Sequence, residues 1–213
     1  MSKIETTSGI PEDDLLREGL IDRLSQYLAA EPGAWHVRYN LGVALAHEGR
    51  LDEALEQFRQ VLADSPKHMQ SLVNIGGIHL SRGDAGEALK SFTSALSVWD
   101  VPLVRANLAV AYLQLDRQDQ AERELRRALE MDPRLADAWT NLGSLLLRQE
   151  KFEESVEASR KALEINQDFA MACNNLALAL LALEQVDEAR EQAARAKALG
   201  YPVHPDLLAS LGL

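Results

Sequence analysis

The chain has 213 residues, 46% of them hydrophobic but only 5% aromatic, and a formal net charge of −11. That length supports one or two domains with a core of Leu, Ala and Val, which favours helices over sheets. The acidic balance argues against a general nucleic-acid binder and equally against docking on anionic lipid, and the single cysteine, Cys173, rules out an intrachain disulfide, as expected of a reducing compartment.

The opening stretch MSKIETTSGIPEDD is polar and lacks the apolar segment of a secretory signal. The longest apolar run, LALALLAL at 176–183, is far too short to cross a bilayer. A cytoplasmic protein is the expectation. Residues 1–10 are expected to be mobile. Pro11 suits the first turn of a helix. Leu15, Leu16, Leu20, Ile21, Leu24, Tyr27 and Leu28 then form an apolar stripe at helical spacing before Pro32. The spacing predicts a lone N-terminal capping helix within 11–34.

From there the chain repeats itself. Asn40, Asn74, Asn107, Asn141 and Asn175 follow one another at steps of 34, 33, 34 and 34. Two places after each comes a small residue: Gly42, Gly76, Ala109, Gly143 or Ala177. Fourteen places after each comes another: Ala54, Ala88, Ala121, Ser155 or Ala189. Each unit reads as two helices. Apolar residues keep helical spacing in the first, as in Leu41, Ala44 and Leu45. A turn such as HEGRLD at 47–52 follows, with glycine at the helix C-terminal position. The second helix ends before Pro66 or Pro133. Small residues in both helices let their axes approach to roughly 8–10 Å.

YNLGVALAHEGRLDEALEQFRQVLADSP and AWTNLGSLLLRQEKFEESVEASRKALEIN carry a resemblance to the tetratricopeptide repeat (TPR) family, a 34-residue helix-turn-helix pattern of W, L-G, Y, then A, F and P. The resemblance implies an all-α, right-handed solenoid of five repeats, at 35–68, 69–101, 102–135, 136–169 and 170–203. A C-terminal capping helix at 204–213 opens on Pro205 and supplies Leu207, Leu208 and Leu211. Departures from the pattern carry expectations. Trp139 alone matches the family tryptophan, with Arg38, Leu72, Arg105 and Cys173 in its place elsewhere. Ser155, Ser159 and Ala193 stand where alanine or an aromatic is usual, which predicts looser packing there than around Phe58 and Phe92. Trp99, beside the one-residue shortening, is expected to pack over that junction.

In the family, first helices line a concave groove. Here the positions the resemblance points inward carry Tyr39, Val43, Val73, Gly77, Leu80, Val110, Leu113, Thr140 and Ser144, a largely apolar lining on which Asp137 and Arg148 are the main charges. The five asparagines share this face. A side-chain amide offers a donor and an acceptor together, matching the C=O and N–H of a peptide unit. Two readings stay open. The amides form a ladder that holds a bound chain by its backbone, or they brace the scaffold internally. The leucines likewise either meet a partner or pack on neighbouring helices, and the N-terminal segment is a third candidate to cover them.

The family's carboxylate clamp for acidic chaperone tails needs Lys, Asn, Lys and Arg where this chain has Tyr39, Val43, Leu103 and Asn107, so that partner is not expected. His36, His47, His68, His79 and His204 form no i, i+4 pair, and neither metal nor cofactor is expected. The arginines of QDQAERELRRALEMDPR are interleaved with carboxylates, which reads as a solvated face. There is no glycine-rich phosphate loop and no GxSxG. The functional expectation is a non-enzymatic protein-protein interaction scaffold, an adaptor or assembly chaperone, of bacterial character by composition. The alternatives are a self-associating structural module, or a regulatory subunit of a larger enzyme or of a secretion or pilus assembly.

Overall fold

The computed structural model describes residues 19–213. Pro11, Leu15 and Leu16 lie outside the described residues, as do residues 1–10. Among the described residues every regular element is an α-helix, and they fall into two compact units that meet in sequence at Asp100 and Val101. The first unit holds α1 (Leu20–Ala30), α2 (Trp35–His47), α3 (Leu51–Asp64), α4 (Met69–Ser81) and α5 (Ala85–Val98). The second holds α6 (Pro102–Gln114), α7 (Gln118–Met131), α8 (Ala136–Arg148), α9 (Phe152–Ile165), α10 (Ala170–Ala182), α11 (Val186–Ala198) and α12 (Pro205–Leu211).

Each repeat is a helical hairpin, and the turn has one recipe. A residue in the left-handed region reverses the chain, and the next N–H returns to a carbonyl five residues back: Arg50 to Leu45 at 2.9 Å, Asp84 to His79 at 2.8 Å, Lys151 to Leu146 at 2.9 Å. In the first unit the left-handed residue is Gly49 (φ 75°) or Gly83 (φ 80°). In the second it is Asp116 (φ 54°), Glu150 (φ 59°) or Glu184 (φ 61°), at the same place in the repeat but with a side chain that disfavours it.

Within a hairpin the helices touch where one is stripped to glycine. A Cβ on Gly42 would lie 2.7 Å from the Phe58 ring, and one on Gly76 would lie 2.6 Å from the Phe92 ring. Both rings are fully buried. Each second helix also packs on the first helix of the following repeat within its unit: α3 on α4, α7 on α8, α9 on α10. First helices α8 and α10 touch one another as well. Helix α1 packs on α2 through Leu20, Leu24 and Leu28, and α12 closes against α11 with Leu207 and Leu211 buried.

The expected looseness at Ser155, Ser159 and Ala193 is not there. All three are fully excluded from solvent. A Cβ on Gly143 would lie 2.9 Å from Ser159 Oγ, so no room is left for a methyl group. Ser155 Oγ donates to the Gly143 carbonyl at 2.9 Å and ties α9 to α8. Small side chains here are matched by close helices. Trp99 also departs from expectation: it is 70% exposed. It is the C-cap of α5, already extended (φ −143°, ψ 133°), so its ring has left the packed face of the helix.

Candidate protein-interaction faces

The first-helix residues singled out by the repeat divide into a packed set and an accessible set. In the first unit Tyr39, Asn40 and Val43 are buried. The Tyr39 ring lies 5.8 Å from that of Phe58 and 5.0 Å from that of His68, centroid to centroid. Its hydroxyl accepts from Asn74 Nδ2 at 3.3 Å, and burial raises its pKa. Asn40 Nδ2 is buried without a partner. Val73, Asn74 and Leu80 are half-buried, and Gly77 is exposed with open space where a side chain would stand.

In the second unit Thr140 is fully buried, its Oγ1 donating to the Ala136 carbonyl at 2.9 Å. Asn175 is buried as well. Its Nδ2 reaches from α10 to α8, donating to the Thr140 carbonyl at 3.2 Å and to Ser144 Oγ at 2.7 Å. Asn107, Val110, Leu113, Asn141 and Ser144 are half-buried. Leu147 and Leu181 pack against the core below, while Leu178 is exposed. Arg148 is drawn to Asp116 at 2.9 Å. Two of the five amides, Asn74 and Asn175, thus join one first helix to the preceding one, and the Asn141 side chain forms no hydrogen bond among the described residues.

In the second unit polar clasps join successive second helices, and hollows lie beside them, one lined by Leu129 and Trp139 and another by Leu163, Gln192 and Arg195. Arg126 pairs with Glu122 and Glu154, and Arg160 with Glu188, at 2.7 to 2.9 Å. These exposed pairs are each worth roughly 0–1 kcal/mol. At the family tryptophan place, Arg38 Nη2 donates to the Pro32 carbonyl at 2.6 Å, as Trp139 Nε1 does to that of Pro133 at 2.9 Å. Cys173 has no such donor. Arg195, from α11, reaches the matching Gln167 carbonyl instead, at 2.6 Å. Burial pushes the Cys173 thiol pKa up, against reactivity. Sequence reading passed over Arg195 and Gln192, and its only signal for them was a cysteine at a place built for an indole.

Among the described residues no group of three or more His, Cys, Asp or Glu is placed to hold a metal, and no helix is long and apolar enough to cross a membrane.

These features define a helical-repeat scaffold, a class that works by presenting surfaces. The tetratricopeptide repeat family model matches residues 21–68, 49–102 and 106–170, and the chain belongs to that family. Its members generally mediate protein–protein interaction, and the repeat fold is typically a non-catalytic scaffold. The Protein CTR9 homolog of Arabidopsis thaliana is 28% identical over 120 residues, 55% of this chain, which spans 11% of that protein's length. PilF of Pseudomonas aeruginosa shares the fold with a TM-score of 0.78 at 19% identity, covering 91% of this chain and 90% of that one. YrrB, described as a TPR protein with an unusual peptide-binding site, shares it with a TM-score of 0.71 at 18% identity, covering 91% of this chain and all of that one.

Proposed function

We propose that this chain is a non-enzymatic interaction scaffold of the cytoplasm and that its first-helix face holds a peptide segment of a partner protein. The observation that carries this reading is the contrast between Asn141 and Asn175. Asn175 is buried and bonded to the preceding helix, whereas Asn141 is half-buried and its amide makes no hydrogen bond among the described residues. An accessible amide amid Val110, Leu113 and Ser144 offers one peptide unit both a donor and an acceptor, with apolar neighbours for the side chains beside it. On this reading Asn74 and Asn175 brace the scaffold, while Asn107 and Asn141, both half-buried and without a side-chain hydrogen bond among the described residues, are the rungs for a guest. The description of YrrB as having a peptide-binding site is consistent with this use of the fold.

The test needs a partner peptide, identified by affinity capture and mass spectrometry and then synthesised. Asn141→Ala is expected to weaken its binding about tenfold, the loss of a paired amide in a partly desolvated site, with the melting temperature unchanged. Asn175→Ala is expected to lower the melting temperature. Unchanged affinity in Asn141→Ala would remove the peptide-contact reading.

A further inference from the structure

The outer face of α5 differs from that of every other second helix. Six outward places recur in register, and α9 fills them with Glu153, Glu154, Glu157, Arg160, Lys161 and Glu164. Charged residues hold at least four of the six in α3, α7, α9 and α11. In α5 they are Gly86, Glu87, Lys90, Thr93, Ser94 and Ser97, all exposed. The two charges cancel, with Lys90 Nζ 2.7 Å from the Glu87 carboxylate. From Ser91 to Trp99 the chain carries no charge, although its net charge is −11. The serine donors here are already matched. Ser91, Ser94 and Ser97 each donate to a carbonyl of their own helix, at 3.0, 2.9 and 2.7 Å. Donors satisfied within the helix lose no water bond when the face is covered.

The helix ends on Trp99, 70% exposed, where the other repeats place Ser65, Asp132, Asn166 or Gly200. A large aromatic residue beside a surface depleted of charge is the composition of a contact rather than of a solvated face. At the other end of the helix, Gly86 has open space where a side chain would stand. Thr93 lies between them, exposed, and its hydroxyl makes no hydrogen bond among the described residues. Gly86 and Thr93 share one side of the helix, two turns apart. At about 1.5 Å per residue, Gly86 stands roughly 10 Å before Thr93 and Trp99 roughly 9 Å after it. A protrusion and a vacancy are thus set at nearly equal distances on either side of one threonine.

We infer that a second copy of this chain docks on the outer face of α5, the two α5 helices running antiparallel across a two-fold axis at Thr93. A two-fold contact lays one surface patch on itself. With the axis at Thr93, Trp99 of each copy lies against Gly86 of the other and fills the place its missing side chain leaves. The two Thr93 hydroxyls meet on the axis, one as donor and one as acceptor. Charge selects the occupant. A second copy also carries −11, and the α5 face lets it approach without setting like charges opposite each other. A cationic partner would be drawn instead to α3, α9 and α11, whose outward places are acidic on balance. One helix pair about 21 Å long with one aromatic anchor per copy buries less than a standard interface, so the dimer is weak and reversible. The inference does not rest on the peptide reading, which concerns the first helices.

Sedimentation equilibrium of the full chain, from about 10 to 500 µM, should show reversible dimers with a dissociation constant on the order of 100 µM, as a small contact gives. Added salt should leave that constant unchanged or tighten it, because it screens only the repulsion between two acidic chains. Trp99→Ala and Gly86→Leu should each weaken the dimer by about tenfold or more, with the melting temperature held. Thr93→Lys and Thr93→Glu each set two like charges on the axis and should abolish dimers, whereas an equimolar mixture of the two should restore them. That rescue also establishes that both variants are folded. Asn141→Ala should dimerise as the wild type does. A wild-type chain that stays monomeric at the highest concentration overturns the inference, as does a dimer indifferent to Trp99→Ala and to both Thr93 variants. A mixture that fails to associate overturns the axis at Thr93. Capture of a different protein through Trp99, by a chain that itself stays monomeric, would give the face to that protein and overturn the second copy.

Discussion

Repeats one and two and repeat four reach the same close approach of two helices by opposite means. In the first two, a phenylalanine on the second helix presses into a glycine on the first, Phe58 on Gly42 and Phe92 on Gly76. In repeat four the glycine is kept but the ring is replaced by Ser159, and Ser155 adds a bond to the Gly143 carbonyl. All three hairpins are closed to solvent at this point. The apolar term in the first comes from a large ring filling space. In the second it comes from backbone proximity, with a hydroxyl bond added and one orphaned hydroxyl, Ser159 Oγ, tolerated. A pattern that looks like degeneration in sequence is a second packing solution.

The largest effects should break this contrast open. Phe58→Ala or Phe92→Ala removes a fully buried ring and should cost about 3–5 kcal/mol in denaturant unfolding. Ser159→Ala removes only an unmatched hydroxyl and should be neutral or stabilising by up to about 1 kcal/mol. Gly42→Ala forces a methyl group into the Phe58 ring and should cost about 1–3 kcal/mol. Gly77→Ala meets nothing and should gain about 0.5–1 kcal/mol from helix propensity. Equal losses for Phe58→Ala and Ser159→Ala would mean the ring is not what closes the first hairpin.

A great deal of this architecture was legible in the sequence, because TPR geometry is written in short-range periodicity. The 34-residue step of small residues, with helical spacing inside each unit, carries the resemblance to stacked TPR hairpins, and Trp35, Met69, Pro102, Ala136 and Ala170 do open helices. What was not legible is how a side chain is used once two repeats are stacked. Asn141 and Asn175 are the same residue in the same register, yet only Asn175 finds Ser144 and Thr140 within reach. Tyr39 and Thr140 fall on the inward register but are consumed by the scaffold, since position on a helix wheel says nothing of the neighbouring helix's distance. The second hollow was hidden for the same reason: Cys173 reads as a small core residue, and its consequence depends on Gln192 and Arg195, about twenty residues away in another helix.

A middle-sized effect should appear at the turns, where the two units differ. Gly83 adopts its left-handed φ freely, while Glu150 and Glu184 hold theirs at a cost of roughly 1–2 kcal/mol each. Glu150→Gly should therefore stabilise by up to about 1 kcal/mol, after the extra flexibility of glycine in the unfolded chain is set against the relieved strain. Gly83→Ala should destabilise by about the same amount. Opposite signs in thermal melts would confirm that the second unit carries the strained turns; a loss of stability in Glu150→Gly would show that its side chain makes up for the backbone.

The smallest effect should separate the units by pH. His68 is the N-cap of α4, where its ring nitrogen accepts from the Ser71 N–H at 3.3 Å while the ring packs against Trp35 and Tyr39. The corresponding N-caps in the second unit are Val101, Leu135 and Phe169, none of which makes a side-chain cap. Burial pushes the His68 pKa below its ordinary value. The unfolded chain therefore takes up a proton at a higher pH than the folded one, and stability rises with pH between the two values. On acidification from about pH 6.5, the first unit should lose stability until the lower, folded-state pKa is passed, and then level off. Protonation also removes the acceptor that Ser71 uses, so the loss has a structural site. It should stay below about 1 kcal/mol, the ordinary size of an N-cap contribution reduced by solvent screening. His68→Asn keeps a capping acceptor without a titrating group. The slope of stability against pH, measured by amide exchange in α4 and in α10, should flatten in α4 for this variant and stay unchanged in α10. Equal slopes in α4 for the wild type and His68→Asn would show that acid acts on the first unit through some other group.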